Sequence, residues 1–490
     1  MSKSLADEIK SGALARLGHR DGNSAVLAQA VLEQAAAKNI ETVRLVFADQ
    51  HGILRGKTIA VRMLKSAFAS GIGVPSTLLF KDTAHRTVFD VWGGGTAETS
   101  LGIEALLDGA SDVLLVPDPS CFHPLPWSPH SAILICDVID RAGGAIGFSS
   151  RNVLRTAEDK LRDAGFQAVF GLEVEFQIFQ KTDAALDHHQ ATSPPAAIGT
   201  RNLTQGWQYL TDTRYSEAEE ILDTLRRYAE ELGLAPRSME VEMGPSQFEF
   251  TFDPSGPMIQ ADRFVLFRTL VKEVCAQRGL HATFMAKPKL PNAVANGWHI
   301  HQSLLDVNSG ANLFMSKGMD LTPQASGWIS GLLEHACDSC LLTTPTVNGY
   351  KRFTEFQLAP NRITWGADNR GAMIRALLYP GDPASRIENR VADTTANPYY
   401  AFAAQILGGL SGITLGASAP PPTLTPYAKT AAQLPGNLGA AIEAFEASTL
   451  FRAALGDEFV QYLVHIKRAE WQRYLMTVSE WEQTEYFNLF

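Results

Sequence analysis

The chain has 490 residues, too many for one ordinary hydrophobic core, and this predicts two domains or one large barrel with an appendage. Its net charge of −10 argues against nucleic acid or an anionic membrane as the main partner, because either requires a basic face. No stretch approaches the roughly 20 apolar residues that cross a bilayer. We therefore expect a cytoplasmic protein that acts on small molecules.

The N-terminal part is predicted to hold a helix followed by a small β-rich domain. Asn23 or Ser24 can cap a helix that runs to about Lys38. The turn Asp49-Gln50-His51-Gly52 joins the first two of four predicted strands into a hairpin. A proline-rich link separates the other two. The four strands cover residues 43–47, 53–61, 113–116 and 132–138.

From Ser149 onward, helices and strands alternate, the pattern of an α/β or α+β layer. Helices are predicted at 154–164 and 264–277, and a third after a capping box formed by Ser216 and Glu219. Strand patterns cover residues 167–179, 238–252, 282–286 and 298–304. Beyond Asn397 the chain is mostly helical, with a Pro/Thr-rich linker at 419–426.

Four strands share an unusual pattern, with polar side chains along one face. In the first, Glu173 and Glu175 alternate with apolar residues, which taken alone indicates an edge strand with two solvated glutamates. Four such strands instead predict a polar funnel inside a barrel, where buried charges must be paired or bound to metal. The polar residues of the other three are Glu242 and Glu249, then His299, His301 and Ser303, and then Arg386, Glu388 and Arg390.

The types of side chain in this set indicate its chemistry. Carboxylates with a single imidazole and no thiolate favour hard divalent cations such as Mg²⁺ or Mn²⁺ over zinc. Metal cations together with several arginines are what phosphoryl transfer requires, because its transition state spreads negative charge over oxygen atoms. The sequence has no Walker A motif, so a nucleotide must be held in another way. The cations that precede Glu388 are Lys351, Arg352, Arg370, Arg375 and Arg386.

In order and over nearly the whole chain, these motifs resemble those of the glutamine synthetase family. The resemblance implies an α+β fold with a helical segment at 1–40, a β-grasp domain at 41–140 and a catalytic domain at 141–490 built as a barrel-like funnel with surrounding helices. It also implies homo-oligomeric rings, a dodecamer of two stacked rings, with active sites between subunits. The matching motifs are 171–176 (GLEVEF), 242–249 (EMGPSQFE), 283–288 (TFMAKP), 299–301 (HIH), 350–352 (YKR), 369–370 (NR), 386–390 (RIENR), Asp393 and 396–399 (ANPY).

The resemblance also implies roles, with glutamate phosphorylated by ATP before an amine attacks the acyl phosphate. The ligands of one Mg²⁺ or Mn²⁺ ion would be Glu175, Glu242 and Glu249, and those of a second ion Glu173, His299 and Glu388. The nucleotide side would comprise Arg370 at the transferred phosphate, with Arg375, Arg386, His301 and Ser303. Glutamate would be bound by Arg352, Arg390 and the loop at Gly297. Candidates for the amine side are Tyr209 and Asp49, the latter from a neighbouring subunit, although a core tyrosine and a turn-capping aspartate explain these two residues equally well.

The chain departs from the family pattern at three places near this site. Family members carry a glutamate six residues after the Tyr-Lys-Arg motif, which closes the site and helps to deprotonate ammonium, and Leu358 occupies that position. Leucine cannot accept a proton or bind a cation, which predicts a wider, apolar amine pocket. The loop 294–298 (VANGW) replaces Asn-Gly-Ser-Gly, and Ser246 stands where glycine is common.

The sequence therefore predicts a glutamate–amine ligase that uses an aromatic or bulky apolar amine, such as aniline, which is neutral at pH 7. One alternative is an ordinary glutamine synthetase in which Glu355 replaces the missing flap carboxylate. A polyamine or alkylamine ligase is a second, with Glu355 or Asp212 binding the additional ammonium groups. A third is an inactive ring scaffold or sensor, which the complete set of metal ligands argues against.

Overall fold

A computed structural model describes residues 4–92, 106, 108–183, 185, 187–318, 320–354 and 358–490, so that Glu355 lies outside the described residues. No helix in these ranges combines the length and the apolar character needed to cross a bilayer. The helices are Leu5–Lys10 (α1), Ala13–Arg16 (α2), Gly22–Ala37 (α3), Leu64–Ser70 (α4), Ser150–Asp163 (α5), Asp212–Glu231 (α6), Pro257–Gln277 (α7), Pro323–Glu334 (α8), Ala336–Thr343 (α9), Pro398–Thr414 (α10), Leu438–Glu446 (α11), Thr449–Leu455 (α12), Asp457–Leu475 (α13) and Glu480–Tyr486 (α14).

The strands form two sheets. They are Thr42–Ala48 (β1), Leu54–Ala60 (β2), Ile72–Pro75 (β3), Asp112–Leu125 (β4), Ser128–Ile139 (β5), Phe166–Lys181 (β6), Thr200–Asn202 (β7), Pro236–Val241 (β8), Gln247–Phe252 (β9), Leu280–Thr283 (β10), Trp298–Asp306 (β11), Trp365–Ala367 (β12), Ile374–Leu377 (β13) and Arg386–Asn389 (β14).

The first sheet has the strand order β2-β1-β5-β4-β3, with β1 antiparallel to β2 and parallel to β5. The predicted β1–β2 hairpin is confirmed. The predicted proline-rich link is wrong in part, because β4 continues through Pro117 with a register shift between Pro117 and Phe122. Proline is tolerated at such irregularities, where no ladder hydrogen bond is lost. The β-grasp topology of this domain stays a prediction.

Two predicted helix starts are wrong. Asp21, not Asn23 or Ser24, caps α3, since its carboxylate accepts a hydrogen bond from the Ser24 N–H at 2.7 Å. Helix α6 already begins at Asp212, so Ser216 lies inside the helix, where its hydroxyl donates to the Asp212 carbonyl. A Ser-x-x-Glu spacing also occurs within helices, where the serine has a carbonyl of the preceding turn to bond.

The second sheet is the nearly closed, barrel-like sheet of the predicted α+β fold. Its order is β12-β13-β14-β11-β6-β9-β8, and β6 also pairs with β7 and β10. The apolar face of β6 packs into an aromatic core, in which the Phe176 ring stacks on Phe284 at 5.2 Å and meets the edge of Phe267 at 5.7 Å. Helices α7 and α10 cover this face, so that the polar residues of β6 lie on the other side.

Arg151 joins the N-terminal sheet to a helix behind β6 through a set of ion pairs. This α5 residue is 6% exposed and contacts Asp118 of β4 at 2.9 Å and Asp137 of β5 at 3.1 Å. It also contacts Asp262 of α7 at 3.1 Å, and the Tyr399 hydroxyl of α10 donates to the same aspartate at 2.7 Å. The guanidinium group therefore fixes the position of the N-terminal sheet relative to the helices behind β6.

Replacing Arg151 with alanine is expected to lower the free energy of unfolding by about 3–5 kcal/mol, because Asp262 is left buried without its counter-charge. Arg162→Ala, on the same helix, removes an exposed pair with Asp159 and should cost less than about 1 kcal/mol. Urea unfolding of both variants beside the wild type measures the two losses. Equal losses would show that this junction contributes no more than a surface pair.

Candidate active site

The pairing of the strands brings the predicted polar residues onto one face of the large sheet. Glu173 of β6 lies opposite His299 of β11, and Glu175 lies opposite Glu249 of β9. On the other side of β11, His301 lies opposite Glu388 of β14, which in turn lies opposite Arg375 of β13. The four polar strands predicted from the sequence are thus neighbours, and their charged faces coincide.

Three groups of these side chains could each hold a metal ion, with ligand atoms within 4.8 Å of one another. The groups are Glu175, Glu242 and Glu249; Glu173, Glu249 and His299; and Glu173, His301 and Glu388. The first is the ligand set that the family resemblance implies. The implied second set also comes together, since His299 Nδ1 lies 3.0 Å from Glu173 and 3.7 Å from Glu388.

The electrostatics of the cluster differ between its two ends. Burial, and then the charges of Glu173, Glu175 and Glu242, raises the pKa of Glu249 above its usual range. Burial and the charge of Glu175 raise the pKa of Glu242 to about 8. Burial also acts to raise the pKa of Glu173, but hydrogen bonds from His299 and His301 outweigh it, and the net shift is downward. The Glu175–Glu242–Glu249 end therefore has an excess of negative charge, and its oxygen-only donors fit Mg²⁺ or Mn²⁺.

His301 has a defined hydrogen-bonding pattern. Arg386 Nε donates to His301 Nδ1 at 3.1 Å, and because arginine is always a donor, this ring nitrogen must accept. A neutral ring then carries its proton on Nε2, which lies 2.8 Å from Glu173 Oε1 and donates to it. This arrangement favours His301 as a neighbour of the metal site on the nucleotide side, as the family resemblance implies, over His301 as a metal ligand.

Glu388 is held by two arginines at the base of the site. Its side chain is fully buried and accepts from Arg375 at 3.1 Å and from Arg390. Arg375 also donates to Asp368 at 2.6 and 2.8 Å. The pKa of Glu388 stays below its usual value, although burial acts to raise it, because Arg390 and the two histidines are close.

Arg352 and Arg390 add two buried cations beside the carboxylate cluster. The Arg352 side chain donates to the Val391 carbonyl at 2.9 Å, and the Arg390 side chain donates to Glu388. Guanidinium groups in such a position can bind an anionic substrate group.

The loop at Gly297 is hydrogen-bonded to the carboxylate cluster. The Gly297 N–H donates to Glu175 at 2.8 Å, and a Cβ at this position would lie 3.1–3.4 Å from His299, Glu175 and Arg352. Gln247 Nε2 bridges Glu175 and the loop, with its nearest loop contact the Ala295 carbonyl at 2.9 Å. Sequence reasoning gave Gln247 no role of its own. An amide buried beside strand phenylalanines is the signal that could have revealed one.

The remaining predicted residues differ in their exposure. Tyr209 is 52% exposed, so it is not a core tyrosine, and burial together with Glu242 and Glu249 raises its pKa to about 12. Arg370 is exposed and close enough to Tyr209 to affect its ionisation. The Ser303 hydroxyl donates to the Ser385 carbonyl at 2.9 Å. Leu358 is 47% exposed, with a left-handed φ of 55°.

Asp49 lies outside this group. Its carboxylate is fully buried and accepts from the backbone N–H groups of His51 and Ile53 and from Arg55 Nε, each at 2.9 Å. These bonds hold the turn of the β1–β2 hairpin. The turn-capping interpretation therefore accounts for Asp49 within one subunit, and its role at the site of a neighbouring subunit stays a prediction.

Cavity size does not identify the site. Cavities of about 640 and 670 Å³ are lined by described residues outside the carboxylate cluster. A cavity of about 160 Å³ lies beside the site, with Arg352 in its wall. The donor chemistry of the strands, rather than volume, marks the reaction centre.

Comparison with known proteins gives consistent matches. A family model described as glutamine synthetase, catalytic domain, matches residues 148–486. The chain is 36% identical to gamma-glutamylanilide synthase of Acinetobacter sp, covering 94% of this chain and 96% of that protein. It is 33% identical to glutamine synthetase of Halobacterium salinarum, covering 94% and 97%. It is 32% identical to gamma-glutamylethanolamide synthetase of Streptomyces coelicolor, covering 91% and 92%.

A solved structure of a GmaS/ADP complex is also similar to this chain. The TM-score is 0.77 at 27% sequence identity, and the match covers 94% of this chain and 99% of that chain. The likeness therefore extends over both sheets and the helices around them.

Replacing Glu249 with glutamine removes one of the crowded charges, so the metal-free protein should unfold at a higher temperature. The affinity for Mg²⁺ should fall by at least about tenfold, a loss typical of a disturbed metal site. Thermal unfolding in EDTA and in a Mg²⁺ titration measures both effects. Glu231→Gln, at the exposed end of α6, should change neither. A Glu249 variant that is destabilised without metal and binds Mg²⁺ normally would contradict this assignment.

The stabilisation by Mg²⁺ should also depend on pH. A glutamate titrates near about 4.3 in an unfolded chain, whereas Glu242 titrates at about 8 in this fold. Its protonation stabilises the metal-free fold at low pH, and this contribution is lost as pH rises through about 8. Because Mg²⁺ requires deprotonated carboxylates, the rise in Tm that it causes should increase from about pH 6 to about pH 9. A constant increment would be inconsistent with the raised pKa.

Proposed function

The chain belongs to the glutamine synthetase family of ATP-dependent ligases, and we propose that it joins the γ-carboxylate of glutamate to an organic amine, best an aromatic or bulky apolar amine such as aniline. The observation that carries this proposal is a complete carboxylate–arginine site combined with Leu358 at the flap. The similarity to gamma-glutamylanilide synthase and gamma-glutamylethanolamide synthetase supports an amine as acceptor. Homo-oligomeric rings, a dodecamer with sites between subunits, belong to the same proposal.

Two sets of side chains would bind two metal ions. The residues that would hold one Mg²⁺ or Mn²⁺ ion are Glu175, Glu242 and Glu249, and those that would hold the second are Glu173, His299 and Glu388. Bound divalent cations offset the repulsion between the ATP phosphates and the glutamate carboxylate. His301 orients Glu173 by its hydrogen bond, and Arg375 holds Glu388 in place by its ion pair.

Glutamate binds with its carboxylates at Arg352 and Arg390, two buried cations beside the carboxylate cluster. The Gly297 loop lies against Arg352 and Glu175, so it borders the same substrate. This places the γ-carboxylate next to the metal carboxylates of β6, where phosphorylation takes place.

In the first step a γ-carboxylate oxygen of glutamate attacks the γ-phosphorus of ATP, and ADP leaves. Arg370 stabilises the transferred phosphoryl group, and Arg375, Arg386, His301 and Ser303 form the nucleotide side. In the second step the amine lone pair attacks the γ-carbonyl carbon, the carbon–oxygen bond to phosphate breaks, and the departing phosphate takes a proton from nitrogen. The products are a γ-glutamyl amide, ADP and phosphate.

The flap residue decides between ammonium and an organic amine. Ammonium is charged at neutral pH and must lose a proton before it attacks, which a carboxylate assists and Leu358 cannot. An aromatic amine is already neutral, and its ring gains from burial against apolar side chains. Tyr209 lies close enough to Glu242 for that charge to raise its pKa, and we assign it to the amine side.

The proposal is tested by ATP- and glutamate-dependent phosphate release, with the product identified by mass. The acceptors are aniline, isopropylamine, putrescine and ammonium. Aniline should be the best acceptor for the wild type. Leu358→Glu should shift the kcat/KM ratio toward ammonium by about 10- to 100-fold, since the apolar contact is worth about 1.5–3 kcal/mol.

The control is Leu415→Glu, the same change at an exposed residue at the end of α10, which should leave the acceptor ranking unchanged. Turnover with ammonium alone would assign the protein to glutamine synthesis. Preference for putrescine would favour the polyamine alternative with Asp212 or Glu355, and no turnover with any acceptor would favour a scaffold.

A further inference from the structure

Residues 203–210 form a loop that lies against the turn carrying Glu242. The N–H groups of Leu203 and Thr204 donate to Ser246 Oγ at 2.6 and 3.2 Å, and the Trp207 N–H donates to the Met243 carbonyl at 2.8 Å. Gly206 packs so closely on the backbone at Pro245 that a Cβ would clash there. Ser246, at a position where the family commonly has glycine, is thus the anchor of this loop.

The loop holds Trp207 in an unfavourable backbone conformation and leaves it exposed. Its φ is 64°, in the left-handed region that bulky residues rarely adopt, and its side chain is 54% exposed. Such strain persists only where the surrounding structure imposes it, and it occurs often at ligand-binding sites. A large aromatic side chain held out in this way, beside a reaction centre, is suited to contact a substrate.

Trp207 forms one wall of the cavity of about 160 Å³ that also includes Arg352. A cavity of about this volume accepts a benzene ring in other proteins. Its described lining adds Lys287 and residues 292–295, with two cations and no carboxylate. With Arg352 paired to a glutamate carboxylate, a protonated alkylamine would still meet the like charge of Lys287, which does not repel an amine that is neutral at pH 7.

We propose that Trp207 selects the amine, its indole packing against the ring of an aromatic amine while Lys287 disfavours protonated alkylamines. This inference rests on the proposed function and deepens it, since it names the residue and the charge that set the acceptor class. Arg352 belongs to both the cavity and the glutamate site, so an amine in the cavity is next to the acyl group that it attacks. Offset or edge-to-face contact between the rings provides the preference for a flat acceptor.

The test compares Trp207→Ala, Trp207→Phe and Ser246→Gly with the wild type. For each, kcat/KM is measured with aniline and with hydroxylamine, a small neutral acceptor that needs no aromatic wall, and KM is measured for glutamate. Trp207→Ala and Ser246→Gly should lower kcat/KM for aniline by about tenfold or more, and Trp207→Phe should retain most of it. Hydroxamate formation and the KM for glutamate should stay within about twofold, and Trp92→Ala, at another exposed tryptophan, should match the wild type.

Each outcome has a distinct meaning. A rise in the KM for glutamate with an unchanged acceptor ranking would place Trp207 in the glutamate site and overturn the inference. An unchanged preference for aniline in both Trp207→Ala and Ser246→Gly would overturn it as well. Failure of the wild type to form hydroxamate or to release phosphate with any acceptor would instead refute the proposed function. If Trp207→Ala does not fold, Ser246→Gly and Trp207→Phe still decide the inference.

Discussion

Like charges held on one face of a central strand are the constraint on which the rest of this site depends. Glu173 and Glu175 project from β6 two residues apart, and strand pairing adds Glu249 directly opposite Glu175. These charges must be balanced inside the fold, and at one end the two histidines and the arginines around Glu388 do so. At the other end, burial and the neighbouring carboxylates raise the pKa values of Glu242 and Glu249. Protons or divalent cations must therefore balance the charge there.

The aromatic core behind β6 keeps these charges close together. Phe176, Phe250 and Phe284 interlock with Phe267 of α7, and close packing leaves the strand little freedom to move its carboxylates apart. Arg151 then ties the helices behind this core to the N-terminal sheet. The geometry of the carboxylate cluster and the stability of the fold therefore depend on opposite faces of one sheet.

The departures from the family pattern lie instead in loops, which strand chemistry does not constrain. Leu358 lies on the flap, Trp207 on the loop anchored by Ser246, and residues 294–297 on the loop bridged to Glu175 by Gln247. Each of these loops departs from the family pattern or carries an exposed apolar residue beside the site. A single set of metal-binding strands can serve different amines when only such loops change.

Local sequence was sufficient to place Glu173 and Glu175 on one face, because side chains alternate across a strand with a period of two. The order of the family motifs predicted the large sheet. The turn residues 49–52 predicted the β1–β2 hairpin. The caps of α3 and α6, the path of β4 through Pro117 and the buried role of Asp49 required the folded chain, since each depends on a competing hydrogen bond or on a partner strand. Trp207 required it most of all. Its position beside Arg352 is set by backbone contacts between two loops about 40 residues apart, and these leave no periodic signal in the sequence.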